Sequence, residues 1–367
     1  MKKSIYWLLI VVMISALVVT IGSAGCKAQV TAEETTAAVE TTAAAETMAA
    51  ETTAANQEQL EFVCVAKGIH PWFDPAGVGM EDAAAQIGGI NTRYMAPAEW
   101  SGEAQVKMVE DLVSQGVDGI AVAVFEAGAM KPAINEAMKQ GVPIVIWDDD
   151  VADSDRVCCL ATGNYEAGVM QGEMFVELMD YKANFIIWVQ DLAARTVLDR
   201  VEGIRSVTKK YPEVVELSDV QMAGYGIDEA LVTAESLLEA YPELNATLDV
   251  GMNGGIAMHR IMKERGIPPS DILNITWTLL PEIMEGLKEG YIYGSMRQNP
   301  YAMGYLATYA LKWYIDGLRP SQEFIDMGKR FDTGIIYVDH TDDPEAKEAD
   351  NIAKAPAMVE EFRKLWE

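Results

Sequence analysis

Short apolar runs that alternate with amphipathic segments constrain the fold of this chain more than any other feature. One such run, residues 142–147, follows a glycine and ends abruptly at the carboxylates Asp148, Asp149 and Asp150. Apolar runs of this length, bounded by glycine on one side and charge on the other, are typical of buried strands in a parallel sheet. Ligands of open α/β sheets bind beyond the carboxyl ends of such strands. These carboxylates and the adjoining Trp147 are therefore predicted to lie where a small polar molecule would bind; the alternative is a solvated acidic loop.

The alternation continues along the chain and predicts two similar halves. In the first half, strands are expected at residues 62–66, 92–95, 119–124 and 142–147, with helices at 79–88, 104–115 and 131–140. After Asn164 the pattern starts again, with strands at 184–189, 214–218, 246–250, 273–277, 291–296 and 333–338 and helices at 165–179, 195–211, 227–241, 254–266, 280–289 and 301–317. Strands that alternate with helices form doubly wound parallel sheets. The predicted fold is therefore α/β, with two Rossmann-like parallel-sheet lobes and a ligand cleft between them.

The N-terminal segment has the composition of an export signal followed by a tether. Lys2 and Lys3 precede an apolar run over residues 5–21, a pattern typical of a secretory signal peptide. The small residues before Cys26 resemble a bacterial lipobox, which implies lipidation of Cys26 and a membrane anchor in the cell envelope, on the periplasmic or extracellular face. The alternative is a transmembrane anchor of marginal length. Residues 27–59 contain six Glu, one Lys and no aromatic residue, so we expect a disordered acidic tether.

Composition excludes several functions. The net charge of −28 is incompatible with binding nucleic acid through its phosphates. Three histidines without a Cys-x-x-Cys pattern offer no convincing metal site. Cys64, Cys158 and Cys159 lie in apolar strands, so we expect free, buried thiols. The sequence contains no P-loop, no Gly-x-Ser-x-Gly elbow and no nucleophile–histidine pair, so we expect neither an enzyme nor a bound cofactor.

Several segments carry a family resemblance through their order and spacing. They include the loop His70-Pro-Trp-Phe73, the strand end Trp147-Asp-Asp-Asp150, and the segments at residues 115–122, 163–168, 199–203 and 298–305. Together they resemble the type I periplasmic solute-binding proteins, in the sugar-binding subset that includes the ribose- and galactose-binding proteins. The likeness covers nearly all of residues 60–340. The same fold forms the effector domain of LacI-type repressors, but an export signal replaces the required helix-turn-helix, so we reject that interpretation.

The resemblance implies a monomeric protein that closes two lobes over a sugar-like molecule and delivers it to the permease of an ABC importer. The alternative is a sensor subunit that presents its closed form to a chemoreceptor or a histidine kinase. We expect the first lobe to comprise residues 60–163 and 297–324, and the second to comprise residues 164–296 and 325–367. The multi-strand hinge between them would include Gly163 and Asn164, with further crossings near residues 296–297 and 321–328.

The chemistry of sugars suggests which residues would form the site. Sugars present hydroxyl groups at their edges and C–H surfaces on their faces, which suit charged or amide groups and aromatic rings respectively. The expected polar contacts are Lys67, Glu99, Asp148, Asp150, Asn253 and Gln298. The expected rings are Trp72, Phe73, Trp147 and Trp277. The alternatives are core or rim positions for the rings and a helix cap for Asn253.

Two positions depart from the family pattern. Leu198 stands where relatives often carry a polar residue or an arginine. Thr278 stands where ribose-type relatives carry an aspartate that binds hydroxyl groups. The second lobe therefore offers fewer charges, which favours a smaller or deoxygenated ligand such as a deoxysugar over ribose or glucose. A lysine in the first loop, Lys67, also resembles the rhamnose- and autoinducer-2-binding branch, which stays open as an alternative. We expect Asp148 to carry more of the polar recognition than its counterpart in the sugar-binding relatives.

Overall fold

The computed structural model describes residues 59–190, 192 and 194–367. Its strands are β1 (Leu60–Val65), β2 (Ile90–Met95), β3 (Gly119–Val122), β4 (Ile144–Trp147), β5 (Cys159–Ala161), β6 (Ala183–Val189), β7 (Val214–Glu216), β8 (Gln221–Met222), β9 (Ala246–Asp249), β10 (Leu273–Trp277), β11 (Gly294–Gln298), β12 (Arg330–Asp332) and β13 (Ile335–Asp339). Its helices are α1 (Asp74–Ile87), α2 (Gly102–Gln115), α3 (Ala127–Lys139), α4 (Asn164–Leu178), α5 (Arg195–Thr208), α6 (Ile227–Ala240), α7 (Asn253–Arg265), α8 (Pro281–Glu289), α9 (Pro300–Ile315), α10 (Gln322–Asp326), α11 (Pro344–Ile352) and α12 (Ala355–Arg363). The predicted export signal, Cys26 and the tether up to residue 58 lie outside the described residues. None of the described helices has the length and apolar character needed to cross a membrane.

The first lobe is built on a six-stranded parallel sheet with the strand order β12-β5-β4-β3-β1-β2. Successive side chains of a strand point to opposite faces of the sheet. Both faces are buried here, because Phe62 and Cys64 of β1 lie in one hydrophobic core and Val63 and Val65 lie in another. This double burial explains why the strands of the lobe are continuous apolar runs in the sequence.

The second lobe repeats this architecture around a seven-stranded sheet. Its strand order is β13-β11-β10-β9-β6-β7, and β8 also pairs with β6. Phe185 and Ile187 of β6 lie in one core, and Ile186 and Trp188 lie in the other. The predicted α/β fold with two lobes is thus confirmed. The one antiparallel strand among the described residues is β13, which pairs with β11 and departs from the predicted all-parallel sheet.

The chain passes between the lobes from β5 to α4, from β11 to α9, and from β12 to β13. The last of these crossings consists only of Thr333 and Gly334, and Gly334 adopts a φ of 77° that favours glycine. β13 therefore starts at the edge of the second sheet where β11 ends, with Ile335 opposite Gln298, and runs antiparallel to β11. The Gln298 side chain donates a hydrogen bond to Thr162 Oγ1 over 3.1 Å, so two of the crossings are joined to each other.

The predicted placement of residues 325–367 in the second lobe is wrong for β12 and α12. β12 pairs with β5 of the first sheet, which moves the third crossing from the predicted residues 321–328 to 333–334. Phe362 of α12 is buried in the first-lobe core, with its ring centroid 4.8 Å from that of Phe331 in β12. An amphipathic helix must bury its apolar stripe, but the stripe itself does not say which lobe will cover it.

The predicted free thiols are confirmed for the described residues. Cys64, Cys158 and Cys159 are buried and unbridged. Burial raises the pKa of the Cys158 thiol to about 12 and raises the pKa values of the other two as well. Since the thiolate is the reactive form, these cysteines act as small apolar core residues.

Candidate ligand-binding site

The first lobe presents an ion-paired cluster at the carboxyl end of its sheet. Lys67 lies just beyond β1, and Asp148 and Asp149 directly follow β4. Lys67 Nζ donates to Asp148 Oδ2 over 2.7 Å and also pairs with the Asp149 carboxylate. The three side chains are 12%, 10% and 21% exposed, respectively. The charges are therefore largely withdrawn from water, and each keeps a small accessible surface.

The pairing determines how the cluster ionises. Burial by itself would lower the pKa of Lys67, but the two carboxylates outweigh it and hold that pKa above its ordinary value. Burial would likewise raise the pKa of Asp149, yet Lys67, Thr196 and Arg200 together lower it. Lys67 and Asp149 therefore remain charged at neutral pH. Because Thr196 and Arg200 belong to α5 of the second lobe, Asp149 lies where the two lobes face each other.

The backbone is unusual at the same position in both lobes. Asp148, the first residue after β4, has a φ of 71°, and Thr278, the first residue after β10, has a φ of 73°. Each amide N–H donates to the neighbouring strand, to Leu160 O over 3.0 Å and to Met296 O over 2.7 Å. Positive φ is strained for a residue with a Cβ, most of all for a β-branched threonine. Backbone strain of this kind concentrates at functional sites. The positive φ values of Asp148 and Thr278 therefore indicate that the carboxyl edges of both sheets belong to the candidate ligand site.

Arg200 is the main charged group of the second-lobe wall. Its Nε donates to Asn164 Oδ1 over 2.8 Å, and one terminal nitrogen donates to Val250 O over 2.7 Å. The guanidinium carbon lies 3.7 Å from the ring centroid of Trp277, so the group stacks on the indole face. Burial lowers the pKa of Arg200 to about 10, and the nearby carboxylates of Asp148 and others oppose that shift. Arg200 therefore stays a cation at neutral pH.

A second charged group in this wall, Asp249, is fully buried at the end of β9. Its carboxylate accepts hydrogen bonds from Gly251 N over 2.7 Å, Gly255 N over 2.8 Å and Thr276 Oγ1 over 3.2 Å. Burial raises its pKa to about 6 even though these donors act in the opposite direction. The sequence predicted a strand at residues 246–250 but did not mark Asp249 as a site residue. The available signal was an aspartate within an otherwise apolar run.

Three of the four predicted rings are buried rather than open to a ligand. Trp147 is 0%, Trp277 2% and Phe73 5% exposed, which agrees with the core alternative. Trp277 is covered by Arg200 on one face, and its Nε1 donates to Gln171 Oε1 over 2.8 Å. Trp72 is half-buried and lies nearly parallel to Trp147, at a centroid separation of 6.4 Å and an interplanar angle of 16°. Among the predicted rings, Trp72 is therefore the one that keeps surface for a ligand.

Sequence reasoning missed two exposed rings that meet across the lobes. Trp100, in the loop after β2, is 40% exposed, and Tyr225, in the loop after β8, is 55% exposed. Their centroids lie 5.7 Å apart. Trp100 also contacts Phe125, in the loop after β3 of the first lobe, at a centroid distance of 6.0 Å. The available signal for Trp100 was its place in a loop, directly after the predicted ligand contact Glu99.

Two of the predicted carboxylates are placed differently from the expectation. Glu99 lies on an exposed loop. Both oxygens of Asp150 are engaged by the guanidinium of Arg156, at 2.5 and 2.7 Å, and Arg156 also donates to Gly328 O over 2.9 Å. Asp150 therefore ties the strand end to the segment before β12. Asp149, which the sequence placed at this edge but not among the expected polar contacts, pairs with Lys67 together with Asp148.

The remaining predicted residues surround the crossings and the second-lobe rim. Asn253 is the first residue of α7, and its amide donates to Gly224 O over 3.1 Å rather than capping the helix. Gln298 faces Thr162, with which it forms the hydrogen bond between two of the crossings. Asn164 accepts from Arg200 and lies at the start of α4, so the predicted hinge segment is in direct contact with the second-lobe wall.

No cluster of three or more metal-ligating side chains forms within residues 59–190, 192 and 194–367. Clefts between two α/β lobes, with polar groups at the carboxyl edges of their sheets, are common sites for small-molecule ligands. A sequence model of the periplasmic binding protein domain matches residues 60–319, and the chain belongs to this family. Its fold is that of the type I periplasmic sugar-binding proteins, as the resemblance predicted. The family consists of extracytoplasmic binding proteins rather than enzymes.

Named relatives agree with this assignment. The chain is 22% identical to the xylose/arabinose-binding protein XylF of Sulfolobus acidocaldarius, over 67% of this chain and 63% of that protein. It is 24% identical to the xylitol-binding protein of Mycolicibacterium smegmatis, over 53% of this chain and 55% of that protein. The chain thus spans less than two thirds of either relative. A solute-binding protein of an ABC transporter from Burkholderia graminis, solved with D-arabinose, has a TM-score of 0.70 and 27% identity, over 77% of this chain and 96% of that one.

Proposed function

We propose that this protein captures a sugar or sugar-like polyol between its lobes and delivers it to an ABC importer. The observation that carries the proposal is the charge-balanced pair of walls at the interlobe edge. Lys67 and Arg200 supply two cations and Asp148 and Asp149 supply two carboxylates, while the further carboxylate, Asp249, is fully buried and held by backbone amides. Apart from Asp249, the charges of the two walls balance, so the site has little excess charge with which to attract an ion. It offers strong donors and acceptors to a neutral molecule that carries many hydroxyl groups.

The ring and the relatives support the same ligand class. Trp72 offers a partly exposed indole close to the carboxylates, which suits the C–H face of a sugar ring. Two of the relatives named above bind pentoses, and one binds the corresponding polyol, xylitol. We therefore place pentoses and pentitols first among candidate ligands, ahead of hexoses, deoxysugars, inositols and autoinducer-2. Delivery to an importer rests on the family alone.

A thermal-shift and calorimetric screen against these compounds tests the proposal. We expect at least one neutral polyol to raise the melting temperature in a concentration-dependent manner, since a ligand stabilises the folded state by an amount set by its concentration over Kd. Lys67→Met should abolish the shift, whereas Lys107→Met, in an exposed ion pair on α2, should leave it unchanged. Stabilisation by anions or amino acids but by no polyol would contradict the proposed ligand class. Uptake of the labelled ligand should be lost in cells that lack this protein.

A further inference from the structure

The contact between Trp100 and Tyr225 joins one exposed loop of each lobe. The two rings are tilted by 41° with their centroids 5.7 Å apart, within the range of attractive aromatic pairs. Trp100 lies in the loop after β2 and Tyr225 in the loop before α6, so neither ring belongs to the charged residues of the two walls. The contact is therefore made only when the two lobes stand close together, whereas the other ring contacts of Trp100 lie within its own lobe.

Trp100 is held in place by its own lobe despite its exposure. Its indole lies against the backbone of Gly68, where an added Cβ would come within 2.6 Å of Trp100 Cε2. Phe125 and His70 meet the indole edge-on, at centroid distances of 6.0 and 6.4 Å and angles of 75° and 79°. Phe73 packs against it at 5.9 Å. The ring is thus prepositioned, so little side-chain entropy is lost when it meets a partner.

The loop that carries Tyr225 is also built to hold one conformation. Gly224 adopts a φ of 66°, and a Cβ at this position would collide with the Glu229 carboxylate. The carbonyl of Gly224 accepts a hydrogen bond from Asn253 Nδ2 over 3.1 Å. Asn253, which the sequence marked as a ligand contact, therefore has a defined structural role, because it fixes the loop that presents Tyr225 to the other lobe.

We propose that Trp100 and Tyr225 form an aromatic clasp that holds the closed lobes together and slows the release of the ligand. The inference rests on the proposed function for the existence of a ligand. A contact made only in the closed form shifts the open–closed equilibrium by its own interaction free energy. An aromatic pair of this kind changes that equilibrium about two- to tenfold. The effect should appear in the dissociation rate, because the rings meet only after the lobes have closed.

The test measures dissociation of a radiolabelled ligand, taken from the screen above, in Trp100→Leu, Tyr225→Leu and the double variant. We expect each single variant to release the ligand about two- to tenfold faster with little change in the association rate. The double variant should be no faster than either single variant, because both remove the same contact. Trp100→Phe and Tyr225→Phe keep a ring and should restore most of the slow release. Tyr211→Leu, which breaks the Tyr181–Tyr211 pair inside the second lobe, serves as the matched control and should not change release.

Two results would overturn the clasp. One is an unchanged dissociation rate in both single variants, in a wild-type protein that does bind a polyol. The other is a double variant whose effect is the product of the two single effects, which would mean that each ring contacts the ligand rather than the other ring. If no polyol binds the wild type, the proposed function fails instead.

The clasp can also be measured without any ligand. Spin labels on Lys107→Cys and Lys182→Cys, exposed positions in the first and second lobes, report the distance between the lobes. The native cysteines of the described part are buried and should not take the label. We expect Trp100→Leu to shift the distance distribution towards longer values, and an unchanged distribution would count against the clasp.

Discussion

The carboxyl edges of the two sheets have similar backbone conformations but carry different side chains. β3 ends at Val122, which pairs with Val65, whereas β9 ends at Asp249, which pairs with Trp188. The residue after the next strand has positive φ in both lobes, but it is an aspartate in the first lobe and a threonine in the second. The first lobe thus carries its carboxylates beyond the sheet, beside a lysine. The second lobe buries a carboxylate within the sheet and has the buried Arg200, stacked on Trp277, as its cation.

This difference shows how one architecture makes two unlike walls. In the first wall, opposite charges compensate each other at short range and stay partly accessible. In the second wall, backbone amides at the start of α7 hold the buried carboxylate, and an indole supports the arginine. The first wall should therefore be the more sensitive to loss of a charge, and the second should be the more sensitive to pH.

Lys67→Met should have the largest effect, because it leaves Asp148 and Asp149 without their cation. Removing one partner of a buried pair costs about 3–5 kcal/mol. Urea unfolding at pH 7 should show a loss of this size in the free energy of unfolding. Lys107→Met, in the exposed pair with Asp111, should cost less than about 1 kcal/mol. If both variants lost the same free energy of unfolding, the Lys67 cluster would contribute no more to stability than an ordinary surface ion pair does.

Asp249 should make stability depend on pH. Its pKa is about 6 in the folded protein against 3.8 for an ordinary aspartate, so the folded state holds the proton more tightly than the unfolded chain does. Stability from this group is therefore present below about pH 4 and is lost as the pH rises through about 6. The loss at pH 7 amounts to roughly 3 kcal/mol.

The comparison of wild type with Asp249→Asn isolates this contribution from that of other carboxylates. Urea unfolding at intervals between pH 4 and pH 7 should show the wild type losing roughly 3 kcal/mol relative to the variant. A difference in absolute stability between the two proteins does not affect this slope. Parallel profiles would show that the pKa of Asp249 in the folded protein does not differ from its value in the unfolded chain.

Arg200→Met should have a smaller effect than Lys67→Met, because the indole of Trp277 and the apolar methionine can still pack together. The variant loses two charge-assisted hydrogen bonds and the stacking contact, so we expect a loss of about 2–3 kcal/mol in the free energy of unfolding. Arg195→Met on the same helix removes an exposed ion pair and should cost less than about 1 kcal/mol. If Arg200→Met lost no more free energy of unfolding than Arg195→Met, the contacts of Arg200 in the second wall would not contribute to stability.

Substitutions at the two residues with positive φ, Thr278 and Asp148, should include the smallest change in stability and should distinguish backbone strain from ion pairing. Thr278→Gly relieves a strained φ at the cost of greater chain freedom in the unfolded state, so we expect a change within about 1 kcal/mol, towards stabilisation. Asp148→Gly relieves the same strain but removes the partner of Lys67, and it should destabilise by about 2 kcal/mol or more. Differential scanning calorimetry of the two variants checks this. Changes of the same sign would show that backbone strain, rather than the ion pair, dominates at Asp148.

Much of this architecture could be predicted from local sequence patterns. Apolar runs and helical periodicity identified most strands and helices of both lobes, but not β8, β12 or α10 to α12, and the abrupt carboxylates after β4 marked the carboxyl edge of the first sheet. Lys67 and Asp148 were predicted as polar site residues, and the structure brings them together. These predictions succeeded because strand burial and the position of strand ends depend on short stretches of chain.

The side-chain directions at the strand ends could not be predicted in the same way. The three consecutive carboxylates have two different partners: past the turn at Asp148, which has positive φ, Asp148 and Asp149 both pair with Lys67 and Asp150 pairs with Arg156. Alternation along a strand does not extend through such a turn. The sequence also left open whether Trp147 and Trp277 are buried, since a ring at a strand end can face either the core or the cleft.

The sequence by itself determined the alternation of strands and helices, the acidic edge of the first sheet and the family resemblance, because each depends on residues close together in the chain. Only the tertiary structure decided that β12 and α12 complete the first lobe, that Arg200 stacks on Trp277, and that Trp100 meets Tyr225. Each of these features joins segments far apart in the sequence. Their pairing is settled by which apolar surfaces and charges can be buried together once both lobes have formed.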